Sequence, residues 1–215
     1  MPRDSALYLK QIEVGPMENF VYLVGDKKKR ECVMVDPAWE VDRVLEMAAA
    51  DDMKVTAGLV THAHFDHVNG VDTFLERTGG RVYIHKNEAD FLKGMKKDLE
   101  KVESGKKLKV GDIEITFLHT PGHTPGSQCF LVENRLVSGD TLFINACGRC
   151  DLPGGSAEQM YESLQRLAKL GGHVLLFPGH NYAERPTSTL GEELKDNPYY
   201  QCGSLKQFLA LRMGY

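Results

Sequence analysis

The segment Thr61-His62-Ala63-His64-Phe65-Asp66-His67 sets three imidazoles and one carboxylate within six consecutive positions. It follows directly on Thr56 to Val60, a short apolar run that reads as a buried strand. On a regular strand His62, His64 and Asp66 would share one face and His67 would point away, whereas a loop lets the side chains converge. Neutral imidazole and carboxylate are the ligands that zinc, iron and manganese accept at neutral pH. Residues of the same chemistry recur downstream: His123 in Thr120-Pro121-Gly122-His123-Thr124-Pro125-Gly126, Asp140 in Ser138-Gly139-Asp140-Thr141, and His180 in Pro178-Gly179-His180-Asn181. Each lies in a small-residue turn at the end of an expected strand, where the backbone can be bent to aim a side chain inward. That recurrence argues against a mere histidine-rich surface loop.

Alternation and β-branched content predict strands over Tyr8 to Val14, Phe20 to Val24 and Cys32 to Val35, the last two joined by a polar turn at Gly25 to Arg30. Helical spacing marks Val41 to Ala50 and Val68 to Arg77, a strand is expected at Val82 to Ile84, and Asn87 to Leu92 reads as a helix start. The lysine-rich stretch Lys93 to Lys109 reads as solvated surface. Ile113 to Leu118, Gln128 to Val132 and Leu136 to Ser138 form a second strand group, followed by a helix over Ala157 to Leu170 with Ser156 as N-cap and a strand over His173 to Phe177. The hairpins Phe20 to Asp36 and Gln128 to Asp140 each end in Asp, a weak sign of two similar halves. No Pro/Ser/Gly linker divides the chain, so one domain over 1–215 with a short helical tail at about 183–215 is expected.

With 42% apolar and 26% charged residues, the composition is that of a globular chain. The longest stretch without formal charge, Ile115 to Val132, holds Pro, Gly and His that a lipid-exposed helix would avoid, so no membrane partner is expected. Arg3 and Asp4 precede any apolar run, the pattern of a signal peptide is missing, and a cytoplasmic location is the default expectation. A net charge of -4 argues against nucleic acid as a partner. The five cysteines form an odd set that suits free thiols, and Cys147-Gly148-Arg149-Cys150 lacks the strand-helix setting of a redox motif. His85, His119 and His173 stand outside the clustered positions and read as structural or exposed histidines.

Taken together, His-x-His-x-Asp-His, a later His, an Asp and a final His in this order resemble the metallo-β-lactamase superfamily from about Tyr8 to beyond His180. The resemblance implies an α/β fold of the α+β kind: an αββα sandwich, two mixed sheets between outer helices, with two divalent metal ions at one edge. It assigns His62, His64 and His123 to one metal, Asp66, His67 and His180 to the second, and Asp140 as the bridge. Zinc is the expected metal, with iron or a mixed zinc and iron centre as alternatives.

Asn19-Phe20-Val21-Tyr22-Leu23-Val24, Gly139-Asp140-Thr141-Leu142-Phe143 and Cys147-Gly148-Arg149 are similar to the glyoxalase II (hydroxyacylglutathione hydrolase) group. The persulfide dioxygenases are its sister group, and Cys-Gly-Arg-x-Asp, with Asp151 where the hydrolases carry Tyr, is closer to their pattern. By this resemblance Arg149 and Tyr182 contact substrate, Asp66 and Asp140 orient a metal-bound hydroxide, and the reaction is hydrolysis of a small thioester such as a glutathione conjugate. A mononuclear Fe(II) glutathione persulfide dioxygenase using His62, His123 and Asp140 is the alternative. The chain is expected to act as a monomer or homodimer.

Overall fold

Alternation along Phe20 to Val24 decides how the first sheet is buried: Phe20, Tyr22 and Val24 face one apolar layer, Val21 and Leu23 another. A computed structural model describes residues 6–92 and 99–214 of the chain. Its first part runs β1 (Leu7–Val14), β2 (Asn19–Asp26), β3 (Glu31–Val35), α1 (Val41–Ala50), β4 (Lys54–Leu59), α2 (Phe65–Val68), α3 (Val71–Thr78), β5 (Arg81–His85) and β6 (Leu99–Val102). The second part runs β7 (Lys107–Val110), β8 (Ile113–His119), β9 (Gln128–Val132), β10 (Arg135–Gly139), β11 (Leu142–Phe143), β12 (Ala146–Cys147), α4 (Ala157–Leu167), β13 (Leu175–Pro178), β14 (Ser188–Thr189), α5 (Leu190–Asp196) and α6 (Leu205–Met213).

Six strands in order β1-β2-β3-β4-β5-β6 form one sheet and six in order β14-β13-β10-β9-β8-β7 the other, with β11-β12 a small separate hairpin. Both large sheets are mixed: β3, β4, β5 and β6 pair in parallel and β1-β2-β3 antiparallel, while β10 and β13 form the parallel pair of the second sheet. Between the sheets Phe20, Tyr22, Val33 and Leu59 meet Ile115, Phe117, Phe130 and Val137 in one layer. Outside them, Val41, Val44 and Phe74 of α1 and α3 cover the first sheet, and Met160, Leu164 and Phe208 of α4 and α6 cover the second. This is the four-layer αββα sandwich that the resemblance implies.

Ser156 caps α4 as its sequence position suggests, accepting from the Gln159 backbone N–H at 3.2 Å. Three expectations change. The helix expected over Val68 to Arg77 is divided at Gly70, and its first turn starts at Phe65, so Asp66 and His67 sit on a short helix rather than a loop. Lys93 to Lys109, read as solvated surface, is exposed along most of 99–109, but this stretch also carries β6 and β7, which that reading does not foresee; residues 93–98 lie outside the described residues. β6 and β7 are edge strands of the two sheets, and Lys101, Lys107 and Lys109 stay exposed while Val102 and Val110 are buried. Lysine on an edge strand discourages pairing with another chain, which accounts for the composition that hid the strands. No helix among the described residues is long and apolar enough to cross a membrane.

Candidate metal centre

Every clustered residue leaves the C-terminal end of a strand, where open α/β sheets place their ligand crevices. His62, His64, Asp66 and His67 follow β4, His123 lies in the turn between β8 and β9, Asp140 follows β10 and His180 follows β13. The two sheets are tied together at this edge. Gln128 N–H donates to Thr61 O at 2.9 Å, Phe20 N–H to Gly179 O at 2.8 Å and Asn181 N–H to Glu18 O at 2.8 Å. Two glycines permit the closeness. Gly139 is in the left-handed region at φ 49° and a Cβ there would lie 2.6 Å from Thr61 Cβ, while a Cβ on Gly179 would collide with Asp140 Oδ1.

All seven residues converge. His62, His64 and His123 offer ring nitrogens that lie within 4.8 Å of one another, as do the ligand atoms of Asp66, His67 and His180, and of His62, His67 and Asp140. Asp140 reaches both sides: Oδ2 is 3.6 Å from His123 Nε2 and 3.4 Å from His180 Nε2, and Oδ1 is 3.4 Å from His67 Nε2. Asp66 Oδ2 lies 3.4 Å from both His67 Nε2 and His180 Nε2.

Neighbouring groups settle which nitrogens point inward. His123 Nδ1 donates to Arg149 O at 2.8 Å, His180 Nδ1 to Met17 O at 2.8 Å and His67 Nδ1 to Asp36 Oδ2 at 2.9 Å. A proton on each Nδ1 leaves each Nε2 free to coordinate. His62 is fixed one step removed: the Thr61 hydroxyl donates to Asp36 Oδ2 at 2.7 Å and so accepts from His62 Nδ1 at 3.0 Å. His62 Nε2 and Asp140 Oδ1 are then buried without a hydrogen-bond partner among the described residues. Buried polar atoms left open inside a ring of imidazoles and carboxylates are what a divalent cation satisfies, so the donor set fits a metal.

The charges agree with that fit. Burial, and then the neighbouring His67, hold His62 well below the usual histidine value, and burial and His123 bring His64 to about 4. Burial also presses down on His67, but Asp140, Asp36 and Asp66 outweigh it and raise it to about 9. Asp140 is driven up by burial and further down by His67 and His180, ending well below the usual carboxylate range.

Asp36, Thr61, Asn19 and Glu88 are functional supports that the sequence reading did not single out. Asp36 takes three hydrogen bonds, from Thr61 N–H, the Thr61 hydroxyl and His67, while its own backbone is left-handed at φ 52°. Its only signal was the Asp that ends the first hairpin. Asn19 Nδ2 donates to Asp66 Oδ2 at 2.9 Å. Glu88, fully buried, accepts from Ala63 N–H at 2.9 Å and Gly126 N–H at 2.7 Å, bracing both loops that carry His62, His64 and His123. His85 and His119, outside the cluster, stack at 3.9 Å, and His119 Nε2 donates to Pro125 O at 3.0 Å.

Arg149 and Tyr182 line the cleft in front of the cluster. Tyr182 stacks on His180 at 4.5 Å, with its phenol pushed up to about 12 by burial and then by Asp140. The Arg149 guanidinium is held twice by Asp151, at 3.0 and 2.8 Å. Cys147, at the end of β12, and Cys150 are buried free thiols, Cys150 raised to about 11 by burial, and no helix opens at this pair.

A family model described as "Metallo-beta-lactamase superfamily" matches residues 14–180. The chain is 35% identical over 90% of its length to the probable polyketide biosynthesis zinc-dependent hydrolase BaeB of Bacillus velezensis, covering 87% of that protein. It is 31% identical over 90% of its length to the mitochondrial persulfide dioxygenase ETHE1 of Homo sapiens, covering 76% of it. The crystal structure of ETHE1 from Myxococcus xanthus superposes with a TM-score of 0.87 at 32% identity, over 96% of this chain and 90% of that one. A family model over residues 14–180, relatives above 30% identity along most of both chains and a shared fold show that the chain belongs to the metallo-β-lactamase superfamily of metallo-hydrolases.

Proposed function

We propose that this protein is a metal-dependent hydrolase of small thioesters, similar to glyoxalase II, with two divalent ions, zinc first, held by His62, His64 and His123 and by Asp66, His67 and His180, with Asp140 between them. The observation that carries the reading is the pair of three-residue groups joined by Asp140 at the floor of an open cleft. Bound there, two divalent ions would lower the pKa of water to about 7 and polarise an acyl carbonyl.

On this reading Asp66 and Asp140 are the carboxylates that orient the attacking water. Water adds to the acyl carbon, the carbon–sulfur bond breaks, and carboxylate and thiol leave with one proton released. A thiol of pKa about 8.5 departs as thiolate, so no dedicated acid is required beside it. Tyr182, its proton held, can donate a hydrogen bond to substrate from the cleft wall, and Arg149, although paired with Asp151, is the cationic side chain at the cleft for an anionic thiol carrier. Glutathione is the carrier to try first.

A second reading is favoured by the Cys147 to Asp151 loop and by the likeness to a persulfide dioxygenase: a single Fe(II) on His62, His123 and Asp140 acting on glutathione persulfide. One preparation, reconstituted once with zinc and once with Fe(II), separates them. Hydrolysis consumes only water, so thioester cleavage is expected anaerobically and in step with zinc loading, with no oxygen uptake on persulfide. Persulfide-dependent oxygen consumption by the iron form, with negligible thioesterase in either form, would replace the hydrolase reading with the second.

A further inference from the structure

Half of the large hydrophobic side chains that are exposed among the described residues gather at the mouth of one cleft. Met17 is 46% exposed, Phe65 70% and Tyr182 60%, and all three line the opening in front of the metal centre. Below them Phe143, Ile144 and Leu152 continue an apolar wall, and the cleft encloses about 580 Å³, the size of a small-molecule site. An exposed apolar group of this kind at a site mouth marks a surface that a ligand covers.

The wall is preformed. Asn145, at φ 57° in the turn between β11 and β12, donates its N–H to Glu193 at 2.8 Å, and Asn197 Nδ2 donates to Ala146 O at 3.1 Å. The C-terminal tail therefore holds Phe143 and Ile144 in place. Opposite, the Phe65 ring stands edge-on to Trp39 at 5.9 Å, and Trp39 Nε1 donates to Asn19 Oδ1 at 2.9 Å. Rigid apolar walls bind without the cost of ordering themselves. Arg149 is the single cationic side chain lining the cleft among the described residues, and Asp151 already engages it.

We propose that the cleft bounded by Met17, Phe65, Phe143, Ile144 and Leu152 takes an extended apolar acyl chain, so that the thioesters this protein prefers carry alkyl rather than short hydroxyacyl groups. The proposal rests on the hydrolase reading above for its chemistry, but its binding arm does not. Each methylene removed from water contributes about fourfold in affinity. Two or three buried methylenes already exceed tenfold.

The test uses the metal-loaded protein. S-methylglutathione and S-hexylglutathione, thioethers that cannot be hydrolysed, are titrated by calorimetry while the emission of Trp39, the single tryptophan, is followed. The hexyl compound is expected to bind at least tenfold more tightly and alone to change Trp39 emission, and Met17→Ser and Phe65→Ser are each expected to shrink that ratio. In turnover, S-hexanoylglutathione is expected to exceed S-lactoylglutathione in kcat/KM by at least tenfold. Equal affinity of the two thioethers, or a preference for the lactoyl ester, overturns the proposal. Chain-length-dependent binding with no cleavage of any thioester would instead sink the hydrolase reading and leave the apolar cleft standing.

Discussion

Asp36 accepts the Nδ1 proton of His67 at 2.9 Å, and through the Thr61 hydroxyl it also orients His62. His62 groups with His64 and His123, His67 groups with Asp66 and His180, and the two meet in a third group with Asp140, so one buried carboxylate positions a residue on each side of the cluster. Asp36→Asn keeps the shape and tolerates the left-handed backbone, but removes the charge that steadies His67. For the proposed two-metal centre we expect both sites to bind metal about 10- to 100-fold more weakly, as loss of an outer partner of a metal-bound His typically does. Competition with a zinc chelator reads this directly. Wild-type affinity at both sites would show that Asp36 supports only the fold.

Glu88 acts on one side alone. Its two oxygens hold the N–H of Ala63, which sits between His62 and His64, and of Gly126, in the turn that carries His123, whereas Asp66 and His67 stand on α2 and His180 follows β13. Glu88→Gln turns one acceptor into a donor facing an N–H, and the expected result is selective loss of the metal on the His62, His64 and His123 side. Leaving one buried N–H unmatched costs about 1–3 kcal/mol, a few degrees in Tm. Metal analysis after limited chelation should find close to one retained ion per chain; loss of both ions together, in step with unfolding, would mark Glu88 as purely structural.

The seven clustered residues were legible because four of them crowd into six positions after a strand and the other three stand among Gly, Pro or Thr at the ends of strands, features visible in one chain. Asp36 was half legible, as the Asp ending a hairpin like the one that ends in Asp140. Glu88 was not, because its partners are backbone N–H groups 25 and 38 residues away, which leave no mark in a side-chain pattern. β6 and β7 escaped because lysines on edge strands mask the short alternation of Val102 and Val110. The Arg149–Asp151 pair could be anticipated from its spacing, whereas the bracing of the Phe143 to Ala146 wall by Glu193 and Asn197 joins segments about fifty residues apart and could not.

Asp140 lies between the two groups, within 3.4 to 3.6 Å of His67, His123 and His180. Asp140→Ala takes away the shared carboxylate while its neighbours keep their own outer partners. Metal content should fall below the wild-type value and turnover should vanish, with circular dichroism and the thermal transition little changed. A variant that retains wild-type stoichiometry and rate would exclude a centre bridged by Asp140.

Metal uptake should be proton-linked. His67, held up at about 9 by Asp140, Asp36 and Asp66 against its burial, carries a second proton near neutral pH in the metal-free protein, on the Nε2 side that faces Asp66 and Asp140. His62 and His64 are depressed and stay neutral, so they bring no such proton. A metal must displace the His67 proton, so loading at neutral pH should release roughly one proton for this residue. The sign follows: below the folded value protonation competes with the metal, so affinity rises with pH, about tenfold per unit while one proton is displaced, and levels off near pH 9. Calorimetric titration of zinc in two buffers of different ionisation enthalpy, at about pH 7 and again above the His67 value, measures the proton count. Buffer-independent heats and a flat affinity over this range would mean that His67 is already neutral before the metal arrives, and that the carboxylates around it do not hold the charge their geometry implies.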